Sequence, residues 1–176
     1  MPDYNLAELH EAVEARVPDR PCVIFHDRQL TYRDIGDRTR QLANALRARG
    51  LGVRTERGDG LANSESGQDH LALYLYNGNE YLEGMLGAYK ARVAPFNVNY
   101  RYVAEELVYL LKDSGARAIM YHSAFAPVLA EARPQLPNLT VLFQVADDSG
   151  NELLDGAEWY EDVLAAESDE LDDDLR

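Results

Sequence analysis

At 176 residues the chain holds one domain, or one domain and a small appendage; a domain of about 150 residues already buries about 68–70% of the surface its unfolded form would expose. Hydrophobic residues at 46% and charged residues at 27% match a soluble globular protein, while a formal net charge of −14 repels phosphate backbones and argues against nucleic-acid binding. Cys22 stands alone, which excludes an intramolecular disulfide and a thiolate metal cluster.

Met1 to Arg20 carries charge and no apolar stretch of the secretory type, and no run approaches the ~20 apolar residues of a membrane span, so a cytoplasmic protein is expected. Asn5 is predicted to cap a first helix with Glu8 reaching back to its N–H; Leu6, Leu9 and Val13 form its apolar stripe, and Pro18 lies beyond its end. Cys22 to Phe25 reads as a strand, with the Cys22 thiol buried and inert. A turn at His26-Asp27-Arg28-Gln29 and a return strand from Leu30 complete a hairpin. Thr31 and Asp34 form a second capping box, opening a long helix that turns Ile35, Leu42, Ala45 and Leu46 inward and stops at Gly50. Residues 51–70 break the pattern: glycine, serine and charge without apolar periodicity predict a flexible surface loop.

From Leu71 to Ser114 the chain alternates strand, helix, strand, helix. Leu71 to Tyr76 is a continuous apolar run, Asn77-Gly78-Asn79 interrupts it, and Tyr81, Leu82, Met85, Leu86 and Tyr89 recur at helical spacing. Val93 to Val98 is a second strand; Leu107, Val108, Leu110 and Leu111 mark a helix closed by Gly115. Arg117 to Tyr121 is a third strand, Ser123 caps a helix bearing Val128 and Leu129, and Leu139 to Val145 is a fourth strand. After a turn at Asp147 to Asn151, Trp159, Val163 and Leu164 mark a last amphipathic helix. Parallel neighbours need crossovers, usually helices, so the expected fold is α/β: a small, mainly parallel sheet flanked by helices, with an N-terminal hairpin. Residues 1–146 form the α/β unit in this reading. Residues 147–176 form an acidic helix and linker carrying Glu161, Asp162, Glu167, Asp169, Glu170, Asp172, Asp173 and Asp174.

Few residues point to chemistry. No GxxxxGK[ST] loop and no GxSxG elbow occurs; Gly50-Leu51-Gly52 and Gly58-Asp59-Gly60 are fragments of GxGxxG without the strand-to-helix context. His10, His26, His70 and His122 are isolated from one another and read as solvated or structurally hydrogen-bonded. Asp147 to Glu152 lacks calcium-loop offsets and reads as a turn. No catalytic, cofactor-binding or metal-ligating residue is therefore assigned. Tyr74, Tyr76, Tyr81, Tyr89, Tyr100, Tyr102 and Tyr109 crowd the central unit as core or core-edge residues, or as the wall of an apolar ligand groove.

Five segments together resemble the beginning of an adenylate-forming enzyme, specifically a fatty acyl-CoA or steroid side-chain acyl-CoA synthetase. Pro18-Asp19-Arg20-Pro21 followed by CVIFHDRQLTYRDI resembles the family's opening hairpin and LTYxEL motif; RTRQLANALRARG resembles the helix after it. LALYLYNGNEYLEGMLGAYKARVAPFNVNYRY resembles the core motif usually written around KAGAvyvPlNpr, and VAEELVYLLKDSGARAIM and FAPVLAEARPQLPNL resemble the units that follow. The resemblance implies the N-terminal subdomain of the adenylate-forming fold. The parent reaction it implies joins a carboxylic acid to ATP as an acyl-adenylate and then to coenzyme A as a thioester, with ATP, Mg2+ and coenzyme A used by the full-length enzyme.

The chain departs from the family in three ways. Arg92 stands where the family usually has Gly, so the turn is expected to be reshaped, because a positive φ is hard for Arg. The loop after Gly52 is roughly ten residues longer than a usual connection. The family's phosphate-gripping Ser/Thr/Gly loop and its later Asp and Lys are missing, with Lys90 and Lys112 the only lysines. The chain is thus expected to be an inactive N-terminal fragment with no cofactor bound, its partner the remainder of the synthetase, and its exposed faces prone to homo-oligomerise. The alternatives are a stand-alone Rossmann-like interaction module with an acidic docking tail, or a non-catalytic synthetase relative kept for oligomerisation.

Overall fold

The computed structural model describes residues 5–58 and 60–171, so Asp59 and the tail acids Asp172, Asp173 and Asp174 lie outside the described residues. In chain order the elements are α1 (Leu6–Glu14), the hairpin β1 (Pro21–Phe25) and β2 (Arg28–Thr31), α2 (Tyr32–Ala48), β3 (His70–Tyr74), α3 (Asn79–Lys90), β4 (Ala94–Asn97), α4 (Ala104–Asp113), β5 (Ala118–His122), α5 (Ala126–Ala132), β6 (Val141–Val145), β7 (Glu158–Trp159) and α6 (Tyr160–Ala165). The hairpin turns through two residues, with His26 at φ 50 and β2 starting at Arg28, tighter than the expected His26–Gln29 turn.

The main sheet has five strands in the order β4-β3-β5-β6-β7, all parallel. Its central strands are covered on both faces, which is why they read as unbroken apolar runs. Leu71, Leu73, Ala118, Met120, Val141 and Phe143 point to one core with residues of α2, α3 and α6. Their neighbours Ala72, Tyr74, Ile119, Tyr121 and Leu142 point to the other, with residues of α4 and α5. Fully burying one such large apolar side chain contributes about 1.5–3 kcal/mol. Edge strand β4 carries Pro95. The backbone N–H groups of Ala94 and Val98 bond inward to Asp69 O and Leu73 O, so Pro95 occupies an outward-facing position, where a further strand would need an N–H.

Both capping boxes are present. Asn5 Oδ1 accepts from Glu8 N at 2.8 Å and Thr31 Oγ1 accepts from Asp34 N at 3.1 Å, with the return bonds from each cap N–H also made. The stripe predicted for α1 is corrected. Leu6 (57% exposed) and Leu9 (53%) face solvent, whereas Ala7, His10 and Glu14 are buried. Charge decides this: the inward side meets Arg40 on α2 and Lys90 on α3, and Gly36 has no side chain where the Glu14 carboxylate lies, so that a Cβ there would sit 2.0 Å from Glu14 Oε2.

Arg92 corrects a second expectation. Helices α2, α3 and α4 end in the same closure, with N–H bonds from Leu51 to Leu46 O, Val93 to Ala88 O and Ala116 to Leu111 O, around Gly50 (φ 72), Arg92 (φ 58) and Gly115 (φ 61). The turn at Arg92 is not reshaped; the arginine takes the left-handed conformation. Its guanidinium pairs with Glu56 at 2.9 Å and its carbonyl accepts from Gln68 Nε2 at 2.8 Å, so the long loop holds the residue that the turn strains. That loop is pinned where it leaves and rejoins the body. Val53 bridges Gln68, Arg54 N donates to Gly67 O at 2.6 Å, and the buried Asp69 carboxylate binds Arg54 and Arg117.

Beyond residue 146 the chain continues to pack on the same body. β7 extends the sheet beside β6, and Tyr160, Val163 and Leu164 of α6 lie in the first core. Tyr160 Oη donates to Glu83 Oε2 at 2.8 Å; that buried carboxylate also accepts from Arg38 at 2.8 and 3.0 Å and from Asn79 at 2.8 Å, tying α6 to α2 and α3.

Candidate binding face at the carboxyl ends of the sheet

The connection from β3 to β4 runs through α3 on one face, and the connection from β4 to β5 runs through α4 on the other. The order in which strands are added therefore reverses between β3 and β5, and in open α/β sheets ligands bind outside the carboxyl ends of the strands at such a point. The chain leaves β3 through Leu75, Tyr76 and Asn77 into the start of α3, and leaves β5 through His122 and Ser123.

Aromatic rings gather there. Tyr76 and Tyr100, each nearly half exposed, have ring centres 5.4 Å apart; Tyr76 lies 4.7 Å from the buried Phe125, on which Tyr74 stacks at 4.3 Å. Arg101 lies 5.4 Å over the Tyr100 ring. The backbone N–H of Tyr76 donates to His122 Nδ1 at 3.1 Å, which leaves the proton of a neutral imidazole on Nε2. Burial pushes His122 below 6.5, opposed by the carboxylates of Glu80 and Asp147. Beneath the rings, Gln144 uses its whole amide: Oε1 accepts from Tyr121 Oη at 2.7 Å and Leu154 N at 3.0 Å, and Nε2 donates to Ser123 Oγ at 3.0 Å and Glu152 O at 2.9 Å. Ser123 Oγ in turn donates to Val145 O at 3.1 Å, so this hydroxyl is a structural link and not a nucleophile beside a base.

The face can hold an apolar or flat group against aromatic edges and offer one neutral hydrogen-bonding imidazole. It is not built for phosphate. Glu80 occupies the first turn of α3, Asp147 stands beside His122, and Lys90 is fully buried with its ammonium paired to Glu11. The residues present do not fit a nucleotide triphosphate or its metal, and no step is derived through either.

The remaining candidates are scattered. Tyr81 packs on the first core, Tyr102 O accepts from Tyr74 Oη at 3.1 Å, and Tyr109 projects from α4 at 72% exposure. Burial raises the Cys22 thiol pKa, the opposite of an activated nucleophile. His26 sits in the hairpin turn against Phe25, and His70 Nδ1 meets Ser114 O. His10 departs from the hydrogen-bonded expectation: it is buried, and neither ring nitrogen has a hydrogen-bond partner among the described residues. His10, Glu11 and Glu14 bring potential metal ligands within 4.8 Å of one another, but Arg40 and Lys90 already neutralise both carboxylates, so the cluster is an ion network. Sequence reading missed the Tyr76–His122 pair because one member lies just past β3 and the other ends β5; the signal was that each lies at or just past the end of an apolar run.

Residues 9–175 match the AMP-binding enzyme family, and the chain belongs to it. It is 56% identical over 165 residues to a medium-chain acyl-CoA ligase, Mig, from Mycobacterium avium, covering 94% of this chain and 30% of that protein. It is 34% identical over 170 residues to a medium/long-chain-fatty-acid and 3-oxocholest-4-en-26-oate CoA ligase from Mycobacterium marinum, covering 96% of this chain and 28% of that one. The chain thus spans about 30% of the length of the curated relatives it matches. In fold it is similar to an anthranilate CoA ligase solved with anthranoyl-AMP (TM-score 0.78, 20% identity, 96% of this chain and 29% of that one). It is likewise similar to the inhibitor-bound N-terminal domain of FACL13 from Mycobacterium tuberculosis (TM-score 0.74, 20% identity, 96% and 37%). Among the described residues no helix is long and apolar enough to cross a membrane.

Proposed function

We propose that this chain is the N-terminal part of a cytoplasmic AMP-forming acyl-CoA ligase acting on a medium-chain fatty acid or a related carboxylic acid. The single observation that carries the reading is the 56% identity to a medium-chain acyl-CoA ligase along 94% of the chain. In the whole enzyme the parallel sheet is a scaffold, and the aromatic face of Tyr76, Tyr100 and Phe125 contributes part of the wall against which the acyl group lies. ATP, Mg2+ and coenzyme A are handled by the remainder of the ligase. Adenylation concentrates negative charge on phosphate, and each positioned donor or cation there is worth about 2.7–4 kcal/mol. The acidic groups around His122 supply the opposite field, so the 176-residue chain by itself does not adenylate acids.

The test is thioester formation by the ligase that carries this segment, measured across acids from acetate to palmitate and a steroid side-chain acid. A maximum at medium chain length supports the reading; no thioester with any acid overturns it. Tyr76→Ala is expected to raise KM for the acid about fivefold with kcat little changed, a loss of ~1 kcal/mol of apolar contact.

A further inference from the structure

Helix α1 keeps its charge inside and its leucines outside. Leu6, Leu9 and Val13 follow the three-then-four spacing of a helix-pairing seam, Ala12 lies exposed beside them, and Arg16 and Val17 continue the row past the helix end. No described residue covers Leu6 or Leu9. The inward side cannot be exchanged for this one, because Glu11 and Glu14 are held by Arg40 and Lys90. A helix so anchored presents its apolar row permanently.

We propose that this row is an interface with a second copy of the chain, with α1 packed antiparallel on α1 across a two-fold axis near Ala12. Three features select this occupant. The row is self-complementary: the small Ala12 beside it lets the helices approach, with Leu9 one turn before and Val13 next to it. Charge is complementary only in the antiparallel sense. Glu8 and Arg16 lie four residues on either side of Ala12, about 6 Å each way along the axis, so Arg16 of one copy meets the acidic first turn of the other, where Glu8 also caps the helix. The net charge of −14 disfavours an anionic lipid surface, the other common destination of an amphipathic helix. The row is short and falls well below the roughly 800 Å² per partner of a stable interface, so the dimer is weak and dissociates on dilution. Because two acidic bodies are brought together, added salt tightens it.

The experiment is sedimentation velocity of the 176-residue chain over a concentration series at low and high salt. A reversible monomer–dimer equilibrium that strengthens with salt is expected. The double variant Leu6→Gln/Leu9→Gln should weaken it at least tenfold, and Arg16→Glu about threefold, with the circular-dichroism spectrum unchanged because all three side chains are exposed. In a Cys22→Ser background, Ala12→Cys should form an intermolecular disulfide faster than an exposed Val103→Cys control at the N-cap of α4. A chain that stays monomeric at the highest concentration overturns the proposal. So does a dimer that ignores the glutamine variants and leaves Ala12→Cys uncross-linked, which puts the interface elsewhere. A monomeric chain together with a longer ligase destabilised by the same variants also overturns it, and assigns the row to the rest of the ligase.

Discussion

Helices α1 and α2 begin alike and pack against each other, yet they bury opposite sides. Each opens on a capping box, Asn5 with Glu8 and Thr31 with Asp34. α2 hides Leu42, Ala45 and Leu46 against the sheet side and shows charge outward; α1 hides His10 and Glu14 and shows Leu6 and Leu9. Helix and cap are local properties, whereas the inward face is chosen by what waits there. For α2 that is a sheet of leucine, methionine and phenylalanine. For α1 it is a bare Gly36 beside two cations, one of which, Lys90, is fully buried and paired with Glu11. Unpaired, such a buried ammonium would cost several kcal/mol, which outweighs the ~3 kcal/mol gained by turning two exposed leucines halfway inward.

Leu42→Ala is expected to cost about 2–5 kcal/mol of global stability, read as a lower urea midpoint for every probe, because Leu42 is fully buried and packs on Gly87 of α3. An unchanged midpoint would show that the α2 side of the comparison is wrong. Next, Lys90→Met should cost less, about 1–3 kcal/mol, and should act locally, since Glu11 is partly exposed and Glu14 retains Arg40. Hydrogen exchange should speed up in α1 and stay slow in β3 and β5; uniform acceleration would contradict a local anchor.

Burial first, then Lys90 and Arg40, lowers the pKa of His10 below 6.5, while Glu11 and Glu14 oppose the shift. The unfolded chain then takes up a proton that the folded chain refuses. Stability from this site is complete above pH 6.5 and falls as the pH drops from there toward the folded pKa. His122, lowered mainly by burial, adds the same sign. His10→Gln should flatten the decline between pH 7 and pH 5, with amide exchange in α1 as the readout; a slope identical to the parent would remove His10 from the account.

The smallest expected effect lies at the shared helix closure. Arg92→Gly relieves a left-handed arginine but gives up the half-exposed pair with Glu56, worth ~0–1 kcal/mol, so a net gain of about 0.5 kcal/mol is expected. Gly115→Ala at the equivalent position should lose about 1 kcal/mol. Opposite signs in thermal melts check the pair.

Much of the fold was legible in the sequence because its elements announce themselves locally. Both capping boxes, the four apolar strands of the main sheet, the helices between them and Gly50 and Gly115 as stops lie where the residues place them. What was illegible depends on distant partners. The two-residue β7 has no pattern of its own and is a strand only because β6 offers an edge to Glu158 and Trp159. The orientation of α1 depends on Lys90, far along the chain, and the tolerance of Arg92 depends on Glu56 and Gln68 across a long loop. The candidate face was half legible: the tyrosines were visible as a cluster, but their meeting with His122 and Phe125 follows from strand order, which spacing does not encode.

The proposed function makes these residues scaffold and acyl wall and leaves nucleotide chemistry to the remainder of the ligase. It is tested most directly by acid-dependent exchange of pyrophosphate into ATP, with purified 176-residue chain, Mg2+ and octanoate. The account predicts no exchange above the protein-free blank; exchange that rises with octanoate and with the amount of chain would contradict it.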